Sequence, residues 1–290
     1  MKDEERGRDA GATLSQRQKL ALRLGQVMSV AMRMDIGAQH FGVDGRLKSP
    51  IKALVAGIDE SQLPKGASSV DGVRLRQPDS GAALAINSFT NWRRTPRLLR
   101  FAGENGFRDL SFDARCPTGI RGTPPLLELL AGNETTVVAV TARCAEYLAS
   151  KPGRLASAYD RLRPTPALLP WLELLAQYRA EPARYGYVDV ASLIKHAVGL
   201  GQTFPNRLVK LAYLYWEPVD AVRFPAFAAH RAELEAVAAA VSGSRVVLFA
   251  QSFDELWSEW ADLAEPEWLR GIVARLKARY AVAIAAPSGL

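Results

Sequence analysis

Residues 110–147 read LSFDARCPTGIRGTPPLLELLAGNETTVVAVTARCAEY, and their division decides the fold. A short strand over 110–112 is followed by a loop rich in Gly and Pro. A strand over 126–130 carries Glu128, and Gly132-Asn133 supplies a tight turn. An apolar, β-branched strand over 137–142 then leads into a helix over about 144–150. Alternation puts Thr141 and Arg143 on one face of that strand. A hairpin closed at Gly132-Asn133 brings Glu128 and residues 141–143 to one end of a sheet.

Further strands are expected over 208–215 and 246–251. Helices are expected at about 168–179, 189–202, 225–241, 252–263 and 266–279. Asp189 and Ser252 precede two of these helices as caps, with Asp254 and Glu255 in the first turn of one, and Pro266 opens the last. Strands this apolar with helices between them imply an α/β fold, a mixed central sheet flanked by helices on both faces. Upstream, Ser15 can cap a helix reaching about residue 34, residues 35–80 show no period, and order resumes over 81–92. Residues 1–13, charged and Gly-rich, are expected to be disordered. The chain divides into a basic, partly helical extension, 1–84, and a main domain, 85–290.

The formal charge of +7 is unevenly placed. Residues 1–100 hold 17 Lys/Arg against 10 Asp/Glu, and the remainder is balanced at 20 of each. A basic flank beside a neutral domain suits a polyanionic partner, because Lys and Arg release counterions from phosphates. It also suits a solvated surface with no partner. Two cysteines, Cys116 and Cys144, in a chain of this size point to a reducing, cytoplasmic setting. Metal-ligand spacing around them is lacking, so a structural zinc is not expected. Arg23 and Gln26 break the one N-terminal apolar run, so neither a membrane span nor a signal peptide is expected.

The segments FDARCPTGIRGTPPLLELL, VVAVTARCAEYL and KLAYLYWEP resemble a family of bacterial restriction endonucleases of the PD-(D/E)xK nuclease superfamily. The likeness extends from about residue 80 to the end and implies a restriction-endonuclease-like fold, a DNA partner and Mg²⁺-dependent phosphodiester hydrolysis in bacterial defence. Such chemistry uses carboxylates to hold a divalent cation and a nearby cation to stabilise developing charge. Where the family has Asp this chain has Glu128, and where it has Glu-Ser-Lys this chain has Thr141-Ala142-Arg143. Glu146, Tyr147 and Lys151 match positions the family also holds. A hydroxyl at 141 is a poor Mg²⁺ ligand, and Arg143 keeps a phosphate-binding cation but cannot act as a base. The resemblance therefore implies hydrolysis weakened or lost, with a non-catalytic DNA-binding or regulatory protein as the alternative. One rescue stays open, since in that superfamily a ligand can migrate to the following helix. Glu128 and Glu146 would then bind the metal, with Arg143 or Lys151 on the phosphate. Equally, Glu146 can be an acid complementing a helix dipole.

Other candidates are weaker. Arg121, in the loop PTGIRGTPP, can present a guanidinium to phosphate, or the loop is a rigid turn. Arg93 and Arg94, within a cluster that includes Arg97 and Arg100, face solvent or phosphate. Lys195-His196 can line a DNA groove or pack. Glu217 at a strand end can approach the site or cap the next segment. The tryptophans at 92, 171, 257, 260 and 268 read as core, and a homodimer on a symmetric DNA site is compatible with the resemblance.

Overall fold

A computed structural model describes residues 14–63, 70–149, 151–163, 165 and 168–285; the expectation for residues 1–13 lies outside these. Five strands form one sheet in the order β1-β2-β3-β4-β5. Strands β1 (Asp109–Arg115), β2 (Leu126–Gly132) and β3 (Thr136–Arg143) make an antiparallel meander. Strands β4 (Leu208–Tyr215) and β5 (Val246–Ser252) follow parallel to β3. The chain is thus α/β with a mixed sheet, as the pattern of apolar strands and intervening helices required.

The β2–β3 turn closes where Gly132-Asn133 predicts. Asn133 Oδ1 accepts from the Thr135 and Thr136 backbone N–H groups, an Asx turn that sets the register Gly132↔Val137. Alternate residues serve opposite faces. Leu129, Ala131, Val138, Val140, Ala142, Ala212 and Leu214 belong to one core. It is shared with α1 (Gln16–Ile36), α3 (Gly81–Phe89), α7 (Phe253–Ala261) and α8 (Glu267–Tyr280). Val137, Ala139, Val209, Leu211, Val246 and Leu248 belong to the other, shared with α4 (Leu169–Ala180), α5 (Val190–Thr203) and the later turns of α6 (Pro225–Ala240).

Every residue of α3 is buried. Asn87 of α3 and Asn91 of the 3₁₀ turn that follows it (Thr90–Arg94), four residues apart, reach into residues 53–59. Asn87 accepts from Val55 N and donates to Ala53 O, while Asn91 accepts from Asp59 N and donates to Gly57 O. These bonds satisfy loop backbone that would otherwise be buried unpaired. Leu24 and Met28 of α1 enter the same core as the sheet, and the division at residue 84 falls inside α3. Among its described residues the segment 35–80, without a period in sequence, holds 3₁₀ turns and one short helix, α2 (Val70–Leu75).

One local expectation is corrected. The helix over 144–150 is only a 3₁₀ turn, Glu146–Ala149. The Glu146 carboxylate folds back on Cys144 N at 2.5 Å, and Pro152 and Gly153 follow three and four residues beyond the turn. Both features work against further helical turns. The tryptophans behave as core. Trp92, Trp171, Trp257 and Trp260 are buried, and Trp92 meets Trp260 and Trp268 edge to face at 5.3 and 5.0 Å between ring centroids.

Candidate functional site at the end of β3

Paired residues of β2 and β3 run to Leu129↔Val140, so the next step sets Glu128 against Thr141. The pleat is interrupted there. Leu127 and Leu129, two residues apart, serve opposite cores, and Asp113 of β1, which the register would set against Glu128, has a positive φ of 54°. The break turns the Glu128 side chain inward, where only 3% of it is exposed. Its Oε2 accepts from Ala142 N at 3.1 Å, and its Oε1 lies 2.5 Å from Arg74 Nη2, contributed by α2.

Two residues further along, Glu146 makes a parallel arrangement. Its Oε2 accepts from Cys144 N, and its Oε1 accepts from Gly81 N at 2.9 Å, the first residue of α3. Position 81 must be glycine for this approach: a Cβ there would stand 2.4 Å from the Ala142 carbonyl oxygen. Protein atoms crowd the Glu146 carboxyl and raise its pKa, opposed by Arg143 and by the donated N–H bonds. Its outer edge is open to a groove of about 1010 Å³ between α1 and residues 77–79, where Gln77 and Gln26 are also exposed and Asp79 is half-buried.

Arg143 lies between the two residues whose N–H groups hold these carboxylates. It is half-buried, donates to its neighbour's carbonyl (Ala142 O, 2.9 Å) and lies 6.0 Å above the Tyr213 ring. Among the described residues it forms no ion pair within 4.0 Å. Burial works against its charge, but Glu128, Tyr213, Glu146 and Asp189 more than offset that and raise its pKa. Thr141 is fully buried on β3, and its hydroxyl has no partner among the described residues. Cys144 is buried with its pKa well above the ordinary thiol value, chiefly through burial and then through Glu146 and Asp79, so it is a poor nucleophile.

These residues do not fit a shared divalent cation as arranged. All four carboxylate oxygens of Glu128 and Glu146 already accept hydrogen bonds from protein donors, and a guanidinium occupies contact distance from Glu128. Thr141 offers a buried hydroxyl where a third oxygen ligand would be needed. What the arrangement can do is present two cations, Arg74 and Arg143, at a strand end without a metal.

The remaining sequence candidates lie apart or are otherwise engaged. Lys151 is exposed just past the 3₁₀ turn, and Arg121 is exposed in its loop. Lys195 is half-buried on α5, while its neighbour His196 is buried, with burial first and then Arg143 and Lys195 lowering its pKa to about 3. Arg93 and Arg94 follow the far end of α3 from Gly81. Arg93 donates to Gln62 O and Arg94 pairs with Asp59. Glu217, two residues past β4, pairs with Arg231 of α6 at 2.5 Å. Sequence reasoning missed Arg74 altogether, because its partner is 54 residues away and α2 lies in a segment without period. It also passed over Asp79, although Pro78-Asp79-Ser80 ahead of a buried helix was a legible signal. Three comparisons, with family models, curated proteins and solved structures, gave no match for this chain.

Proposed function

We propose that the chain is a DNA-binding protein on a restriction-endonuclease-like frame whose metal-dependent hydrolysis has been lost. The observation that carries this reading is the meeting of Glu128 with residues 141–143 at one strand end. The nuclease resemblance implies a metal there, and Arg74 instead neutralises the carboxylate. Hydrolysis through a divalent cation needs free carboxylate oxygens. Phosphate recognition needs only cations, and Arg143, half-buried and without an ion pair among the described residues, is suited to it. The excess of basic residues in the first hundred supports a polyanionic partner.

The test is supercoiled-plasmid nicking with Mg²⁺ or Mn²⁺, run beside duplex binding over a salt series. The expected outcome is no nicking, with binding that weakens as salt rises and weakens further in Arg143→Ala. Nicking by the wild type that disappears in Glu128→Ala would show an active nuclease and overturn the loss of hydrolysis. Failure to bind duplex at low salt would overturn the DNA reading itself.

A further inference from the structure

We propose that Arg74 is a resident cation that takes the place of the divalent metal in this site, making it charge-balanced and complete without one. The inference deepens the reading above and rests on its nuclease-like frame. Glu128 is buried, and a buried carboxylate must be paired or neutralised. The one ion pair it makes among the described residues is with Arg74, and its other oxygen is taken by Ala142 N. Arg74 is built into position. Leu75 beside it is buried, and the next residue, Arg76, exchanges bonds with Leu47: Leu47 N donates to Arg76 O, and Arg76 Nε donates to Leu47 O. The end of α2 is therefore pinned immediately after its contact with β2.

The charge count explains why the exchange works. Two carboxylates with one divalent cation sum to zero, and so do one carboxylate and one guanidinium. The resemblance implies a second carboxylate at position 141, where this chain has Thr141, and the hydroxyl there is buried and without a partner among the described residues. Removing one negative charge and supplying one fixed positive charge keeps the strand end neutral. Guanidinium suits the role because it is always charged, is weakly hydrated and offers several donors. Arg74 is 39% exposed, so its outer face stays open to an anion while its inner face holds Glu128.

The experiment uses the full chain and counts bound Mn²⁺ by electron paramagnetic resonance, with thermal unfolding in millimolar Mn²⁺ or chelator at matched ionic strength. Wild type is expected to take up no Mn²⁺ that depends on Glu128 and to melt at the same temperature in both buffers. Arg74→Met is expected to melt lower, to bind Mn²⁺ at least about tenfold more tightly than wild type and to regain melting temperature when Mn²⁺ is added. Arg74→Met/Glu128→Gln, uncharged at both positions, is expected to fold and to show neither effect. Three results would overturn the inference: Mn²⁺ binding by wild type that Glu128→Gln abolishes, a folded Arg74→Met that gains no Mn²⁺ affinity, or a double variant that does not fold. If Arg74→Met itself fails to fold, the double variant decides, since folding there assigns the failure to an unbalanced Glu128. None of these readouts uses nucleic acid, so an absence of DNA binding and an error about Arg74 are told apart.

Discussion

Glu128 and Glu217 sit on either side of β3, one in β2 and one just past β4, and each meets a helix-borne arginine at 2.5 Å. They are held differently. Glu128 has both oxygens satisfied, one by Arg74 and one by Ala142 N. Glu217 has Oε2 on Arg231, while its Oε1 is buried with no partner among the described residues. Burial raises the pKa of Glu217, Arg231 opposes the shift, and Glu255 adds to it. The difference teaches that a buried ion pair can serve two ends. At Glu217 the carboxylate can take a proton on its free oxygen if its arginine is lost. At Glu128 the arginine is the one partner of Oε1 among the described residues, so losing it strands a buried oxygen that had been satisfied.

The comparison is broken or sharpened most by Arg74→Met. Removing one partner of a wholly buried pair costs about 3–5 kcal/mol. Because water reaches Arg74, the expected loss is about 2–3 kcal/mol of unfolding free energy, measured by urea denaturation at neutral pH. Glu128→Gln, which leaves a half-exposed arginine unpaired, should cost less. A larger loss for Glu128→Gln would reverse which partner is the costly one to strand.

His230 provides the second test, because on α6 it directly precedes Arg231, the partner of Glu217. It stacks on Tyr147 at 3.9 Å, bonds the Tyr213 hydroxyl through Nε2 at 3.1 Å and meets Tyr215 edge to face. Burial first, then Arg231 and Arg143, lowers its pKa to about 3 from 6.5. The unfolded chain therefore binds a proton that the folded one refuses. Stability should be fully present above pH 6.5 and be lost toward pH 3, by up to about 1.4 kcal/mol per pH unit. His196 contributes in the same direction. His230→Phe should flatten the profile of stability against pH between 6.5 and 4, and an unchanged slope would exclude His230 as its source.

The smallest effect is expected for Arg231→Met, about 1 kcal/mol at pH 8, a value typical of a lost charged hydrogen bond whose partner can adapt. The sign follows from the raised pKa of Glu217. The protonated carboxyl is the better-tolerated form in the fold, so the penalty is present above the folded pKa and fades as pH falls through it toward 4.5. Urea denaturation at pH 8 and pH 5 checks this. A penalty at pH 8 exceeding that of Arg74→Met would overturn the contrast between the two glutamates.

Much of the frame was legible. The strands over 126–130, 137–142, 208–215 and 246–251 and the helices begun by Asp189 and Ser252 could be read because periodicity and capping act within a few residues. The pairing of Glu128 with position 141 was not legible. Counting back from the turn brings the two close, but the break in pleat at Glu128 depends on Asp113 across the sheet. The 3₁₀ turn after β3 was misread because the acid at 146 that suggested a helix start spends its oxygens on Cys144 and on a helix 65 residues earlier.

By itself the sequence determined the α/β alternation, the tight hairpin and the buried tryptophans. These depend on local spacing and residue chemistry. Only the tertiary structure decided which cation meets Glu128 at the strand end. Arg74 comes from a stretch with no period of its own, and its electrostatic role exists only once α2, pinned by Leu47, lies against β2. Coulombic interaction at contact distance in a buried setting is strong and depends on separation through space. It is indifferent to the 54 residues of chain that separate the partners.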